Sequence, residues 1–146
     1  MRLIDAPSKD MADVRLNFSN KEKNKFAVMF VCVQREWRVD GLLCILITDR
    51  DGVPVLKVSA DSAPELAMRP SFLSTFSMAT EQGGKLGLGK NKSLICMYSS
   101  YQVVQINKLP LVISFIATSS CNTGHLLSLE HSIEPLLGDL KCAVAD

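Results

Sequence analysis

Two stretches of this 146-residue chain are almost continuously apolar: Leu42-Leu43-Cys44-Ile45-Leu46-Ile47-Thr48 and Leu111-Val112-Ile113-Ser114-Phe115-Ile116-Ala117. Each is too short for a buried helix. A strand that alternates apolar and polar side chains has one wet face, whereas a strand apolar at every position is covered on both. The two runs therefore predict interior strands of one sheet with a layer packed on each side.

The segments around the runs fill in the rest. Asp49-Arg50-Asp51-Gly52 is a turn signal, and Val53–Val58 reads as a second strand hairpinned to the first. Pro54 has no N–H to donate, which assigns that strand to an edge of the sheet. Ser62–Glu65 is expected as a loop. Arg69-Pro70 opens a helix with Pro in its first turn, Phe72, Phe76 and Ala79 share one face of it, and Gly83-Gly84 end it. Residues 83–92 read as a flexible basic loop. Leu94–Tyr98, Tyr101–Ile106 and Leu111–Ala117 follow as three strands joined by short turns. Leu126, Leu129, Ile133, Leu136, Leu137 and Leu140 then recur at three-to-four spacing, the mark of a helix lying on a sheet. Pro135 is expected to kink it and Gly138 to weaken it locally. Strand, strand, helix, three strands and helix make an α+β fold with helices on both faces of an antiparallel sheet.

Composition narrows the function. Net charge is +1, with 16 Lys and Arg against 15 Asp and Glu, so no partner made mainly of phosphate is expected, neither nucleic acid nor an acidic membrane surface. The five cysteines, Cys32, Cys44, Cys96, Cys121 and Cys142, are an odd number with no Cys-x-x-Cys among them. Several sit inside apolar runs, which suits free thiols in a reducing compartment. The first ten residues hold no apolar leader segment. The longest apolar run near the start, Phe26–Val33, is eight residues, against about 20 for a membrane-spanning helix.

Several short motifs look like chemistry and fail on context. Gly84-x-x-x-x-Gly89-Lys90 spells most of a phosphate-binding loop, but Asn91 stands where Ser or Thr would hold magnesium. Helix and strand also come in the wrong order for backbone N–H groups to aim at phosphate. Nucleotide binding by residues 83–92 is thus a minor alternative. Asp49-x-Asp51-Gly52 suggests a calcium loop, but Val58 occupies the place of the bidentate Glu. His125 and His131 are six apart and do not share a helix face for a metal. Ser99, Ser100, Ser114, Thr118, Ser119 and Ser120 sit in no nucleophile elbow. Tyr98 and Tyr101, flanking a Ser-Ser turn, read as cross-strand packing rather than a base-stacking platform. No catalytic residue, cofactor or metal site is expected.

The segment Thr48-Asp49-Arg50-Asp51-Gly52-Val53-Pro54-Val55-Leu56-Lys57-Val58 carries a more specific signal. With it go Ala63-Pro64-Glu65, Arg69-Pro70, Phe72-Leu73-Ser74-Thr75-Phe76, Lys85-Leu86-Gly87-Leu88, Lys90-Asn91-Lys92-Ser93, Tyr101-Gln102-Val103-Val104-Gln105 and Leu109-Pro110-Leu111-Val112. Together they resemble the roadblock family, in the branch that provides MEK-binding scaffold subunits of the Ragulator complex. The resemblance covers residues 41–146. It implies a five-stranded antiparallel sheet in order 2-1-5-4-3, with one helix on one face and the terminal helices on the other. It implies a non-catalytic adaptor that pairs with a second roadblock subunit through its central helix and the adjoining edge strand. The implied contact residues are Phe72, Leu73, Phe76, Ser77 and Thr80 on the helix, and Leu94, Ile95, Cys96, Met97 and Tyr98 on the strand. The implied wider partners are the other Ragulator subunits, Rag GTPases, and MEK and ERK kinases. The place is the cytoplasmic face of late endosomes and lysosomes, with a lipidated sister subunit holding the membrane. A roadblock light chain of a motor complex is the alternative within the same fold.

The strand reading has support from the residues themselves. A monomer protects an exposed sheet edge with charge or proline, and Leu94-Ile95-Cys96-Met97 has neither. Two departures from the family stand out. Met11-Ala12-Asp13 matches its start, but residues 14–40 do not match its first helix, and Phe26–Val33 favours a strand. Residues 1–40 are therefore set apart as an atypical N-terminal segment, either disordered or replacing that helix, ahead of a roadblock-like domain at 41–146. Gly138-Asp139 replaces bulkier family residues and is expected to loosen the last helix.

Overall fold

The structure is a computed structural model and describes residues 39–145. The expectations for residues 1–38, including the Phe26–Val33 strand, lie outside the described residues. Strand β1 is Leu42–Thr48, β2 Pro54–Ser59, β3 Ser93–Met97, β4 Tyr101–Lys108 and β5 Leu111–Thr118. Helices α1 (Pro70–Leu73) and α2 (Thr75–Gly84) lie between β2 and β3, and α3 (Thr123–Ala145) follows β5. The five strands form one sheet in the order β2-β1-β5-β4-β3, every neighbouring pair antiparallel. The two apolar runs, β1 and β5, are paired with each other inside the sheet, and β2 and β3 are its edges.

Period-two alternation sorts the strand residues into two cores. On one face Ile45, Ile47, Val104, Ile113 and Phe115 pack against Leu126, Leu129, Ile133 and Leu137 of α3. On the other face Cys44, Leu46, Val103 and Ile116 pack against Ala67 and Leu73. β1 and β5 contribute to both, which is why they are apolar at nearly every position. At roughly 1.5–3 kcal/mol for each fully buried large side chain, these two layers are the main source of stability.

Polar groups fix the joints. Gln102 is buried on the α3 face. Its amide donates to the carbonyls of Thr118 (3.0 Å) and Cys121 (2.7 Å), and its carbonyl accepts from the Thr123 hydroxyl (2.6 Å). Asn122 caps α3 by accepting from the His125 N–H at 3.1 Å. Lys108, at the end of β4, pairs with Glu130 and Glu134 of α3.

The β1–β2 turn is fixed within itself and against the helices beside it. Asp49 Oδ1 accepts from the N–H groups of Asp51 and Val53, both at 2.9 Å. Gly52 adopts φ +84°, and a Cβ there would stand 2.6 Å from the Pro70 carbonyl oxygen. Only glycine lets the turn sit this close to the start of α1. The Ser77 hydroxyl donates to the Arg50 carbonyl at 2.7 Å and ties the same turn to α2.

Three local expectations need correction. The loop expected at Ser62–Glu65 passes at Glu65 into a 3-10 turn, Glu65–Met68, that the sequence did not indicate and whose Ala67 reaches the core. The single helix from residue 69 is divided at Ser74 into α1 and α2. β2 spans Pro54–Ser59 rather than Val53–Val58.

Candidate partner-binding surface

Among the described residues β3 is hydrogen-bonded to β4 alone, so one of its sides carries backbone groups that none of them pairs with. Register identifies them. The Tyr98 N–H donates to the Tyr101 carbonyl and the Asn107 N–H to the Lys92 carbonyl, both at 2.8 Å. Hydrogen-bonded pairs alternate along an antiparallel ladder. Positions 92, 94, 96 and 98 therefore face β4, and the N–H and C=O groups of Ser93, Ile95 and Met97 point off the sheet. The inward position of the pair Ile95 and Cys96 is Cys96.

The side chains of this edge are apolar and partly bare. Ile95 is 42% exposed and Met97 67%, on the α3 face but beyond the cover of α3. Tyr98 is 51% exposed, and its ring packs against Phe72 of α1 in a tilted arrangement with centroids 6.4 Å apart. Burial against the fold, then the neighbouring Cys96, raises the Tyr98 phenol pKa. Leu94 and Cys96 are half-buried on the opposite face, where Cys96 joins the second core.

The helix residues expected at the interface divide. Leu73 and Phe76 are each 3% exposed, because they are the positions at which α1 and α2 rest on the sheet. They offer no outer surface, and their assignment as contact residues is corrected to core. Phe72, Ser77 and Thr80 are half-buried. Phe72 lies on the β3 side with Tyr98, whereas Ser77 faces the β1–β2 turn. The other eight expected residues thus form one patch at the β3 edge, Phe72 with residues 94–98, and a separate pair, Ser77 and Thr80, along the other flank of α2.

The short motifs that fail on sequence context stay apart in space. Residues 85–92 run from the end of α2 to β3, so a helix precedes and a strand follows, the reverse of a phosphate-binding loop. Their Gly87 and Gly89 have φ of +77° and +90°, and a Cβ added at either would meet nothing within 4 Å. His125 and His131 are exposed. Among the described residues no group of three His, Cys, Asp or Glu could hold a metal. Cys44, Cys96 and Cys121 are free thiols. Burial pushes the Cys44 thiol up to about 12, slightly opposed by the charge of Lys57. No described helix is long and apolar enough to cross a membrane.

A five-stranded antiparallel sheet in this order, helices on both faces and an open apolar edge define the roadblock fold, and solved structures agree. A structure of MglB in a tetrameric arrangement superposes with TM-score 0.63 at 15% identity, covering 84% of this chain and 91% of that one. A Roadblock/LC7 domain from Streptomyces avermitilis gives 0.55 at 14% identity, covering 82% and 97%. Within that class the sequence is more specific. Residues 29–144 match the family described as mitogen-activated protein kinase kinase 1 interacting. The chain belongs to that family. It is 62% identical over 106 residues to the Ragulator complex protein LAMTOR3 of Danio rerio, covering 73% of this chain and 86% of the relative. It is 65% identical over 102 residues to the Mus musculus protein of the same name, covering 70% and 82%.

Proposed function

We propose that this chain is a non-catalytic adaptor subunit of a Ragulator-like complex. It pairs with a second roadblock subunit through the outward edge of β3 and the adjoining Phe72–Tyr98 patch, so that one sheet continues across two chains. The pair joins the other Ragulator subunits on the cytoplasmic face of late endosomes and lysosomes, and a lipidated sister subunit supplies the membrane anchor. There it helps recruit Rag GTPases for amino-acid signalling to the mTOR complex and holds MEK and ERK kinases together. Residues 41–146 carry this adaptor domain, and residues 1–40 are an atypical N-terminal segment, disordered or replacing the family's first helix. Identity to proteins named as Ragulator subunits supports the assembly, and the matched family's description supports the kinase contact.

The observation that carries the reading is the β3 edge. It presents three unpaired backbone positions beside exposed Ile95 and Met97, with no charge or proline to discourage pairing. Affinity purification of the full chain with mass spectrometry tests the assembly. The expected preys are a roadblock subunit, further Ragulator subunits and Rag GTPases. Recovery of dynein subunits in their place would assign the chain to a motor complex.

A further inference from the structure

The chain between α2 and β3 stands clear of the domain. Every residue from Gly84 to Lys90 is exposed. Leu86 is 73% and Leu88 88% exposed, the barest large apolar side chains among the described residues. A Cβ added at Gly84, Gly87 or Gly89 would meet nothing within 4 Å, so no other element lies against these positions. Gly87 and Gly89, both at positive φ, bend the backbone on either side of Leu88 and leave that side chain at the tip.

The same segment is basic. Residues 85–92 contain Lys85, Lys90 and Lys92 and no acid, a local feature of a chain whose net charge is only +1. Lys85 has Glu81 at 3.7 Å, and Lys90 and Lys92 make no ion pair among the described residues. The strand register places the acids of the β1–β2 turn at a distance. The Lys92 carbonyl accepts from the Asn107 N–H at 2.8 Å, Asn107 is opposite Val112, and Val112 is opposite Thr48. Asp49 and Asp51 therefore begin three strands away, about 14 Å at the usual strand spacing. That exceeds the roughly 8–10 Å over which an exposed charge acts in physiological salt.

Shape decides between an acidic protein and a lipid surface. Two bare leucines on a protruding tip give a peptide no groove to lie in. A bilayer needs none, because lipid closes round an apolar side chain that enters it while lysines beside it meet anionic headgroups. We propose that the 85–92 loop is a membrane-contact site: Leu86 and Leu88 enter the interface of an anionic bilayer, and Lys85, Lys90 and Lys92 lie against its phosphates. The contact is weak by itself and strengthens once another subunit holds the chain at the surface, where lipid stands at high effective concentration. It goes beyond the adaptor reading, in which this chain reaches the membrane only through a lipidated sister subunit, and it holds whichever complex the chain joins.

The test reads flotation of the full chain with vesicles at millimolar lipid. Phosphatidylcholine vesicles with about 30% phosphatidylserine should carry the chain, and phosphatidylcholine alone should carry about tenfold less. Raising NaCl from about 0.1 M to about 0.5 M should release it. Lys90→Gln with Lys92→Gln should weaken binding about 20-fold, at roughly fivefold for each lysine. Leu86→Ser with Leu88→Ser should weaken it about tenfold. All four positions are exposed, so these changes leave the core intact. Leu88→Trp should be quenched by phospholipid brominated on its acyl chains, beyond the wild type, whose single tryptophan is Trp37. No flotation with the phosphatidylserine vesicles, binding that survives the lysine pair, or binding without extra quenching of Leu88→Trp would each overturn the proposal. Equally tight binding to polyglutamate would overturn it too, and would assign the loop to an acidic protein.

Discussion

The sheet has two edges, and they are built differently. β2 begins with Pro54, carries Lys57 at an outward-facing backbone position, and meets β1 through a register irregularity between Ile47 and Thr48. The Ala60 N–H donates to the Leu43 carbonyl, so Lys57 and Ser59 are the β2 residues whose N–H groups face off the sheet. Proline, a lysine and a bulge are the devices by which soluble proteins discourage edge-to-edge pairing. β3 has none of them. It is straight in register over five pairs and apolar at four consecutive positions. Within one domain of nearly neutral charge, one edge is closed to further strands and the other is left open. Openness on one side only is what a subunit needs to add a single neighbouring chain without growing into a fibre.

The largest effect should come from proline on the open edge, where direction decides the outcome. Cys96→Pro removes a donor facing β4 and should cost on the order of 3 kcal/mol, read as a fall in the denaturant midpoint. Ile95→Pro removes a donor facing outward. It should leave the midpoint nearly unchanged and abolish co-purification of the roadblock partner. If the two variants behave alike in both measurements, the assigned register is wrong.

A smaller effect probes the closed side. Cys44 of β1, next to β2 in the sheet, is covered by Ala67 and Met68 of the 3-10 turn, with a folded pKa of about 12 against 9.0 for an open thiol. A raised thiol pKa means that the unfolded chain ionises first. Its contribution is intact below pH 9 and is lost as pH climbs toward 12. Between pH 8.5 and 10.5 the wild type should lose about 2 kcal/mol more than Cys44→Ala does. Parallel curves for the two proteins would show that Ala67 and Met68 do not seal this thiol.

The smallest stability change is expected where the closed edge is opened. In the Ile95→Pro background, Pro54→Thr with Lys57→Ile should alter stability by less than about 1 kcal/mol. It should nonetheless raise self-association in sedimentation velocity, because two of the three blocking features are gone. A chain that stays as monomeric as Ile95→Pro alone would show that the bulge suffices.

Much of this contrast is legible in the sequence. Interior strands betray themselves by being apolar on both faces, Pro54 marks one edge, and the missing charge at 94–97 marks the other. Helix spacing shows which residues share a face but not which face is turned to the sheet. Leu73 and Phe76 can therefore be read as outward contacts from the sequence, whereas in the fold they anchor the helices in the core. The 3-10 turn at Glu65–Met68 is four residues long and leaves no period to detect. The half-open cavity beside α2 is invisible to local patterns because Arg50, Thr80 and Leu109, which line it, meet only after the hairpin turns fold against α2.

Amide hydrogen exchange, with the chain alone and with a co-expressed roadblock partner, tests the difference between the edges most directly. The Ser93, Ile95 and Met97 amides point off the sheet and should exchange freely in the single chain. On partner binding they should become protected by at least about tenfold, while the outward amides of β2, Lys57 and Ser59, keep their rates. Protection at Lys57 and Ser59, or none at Ser93, Ile95 and Met97 in a complex that has formed, would contradict the claim that β3 is the edge through which this chain joins its neighbour.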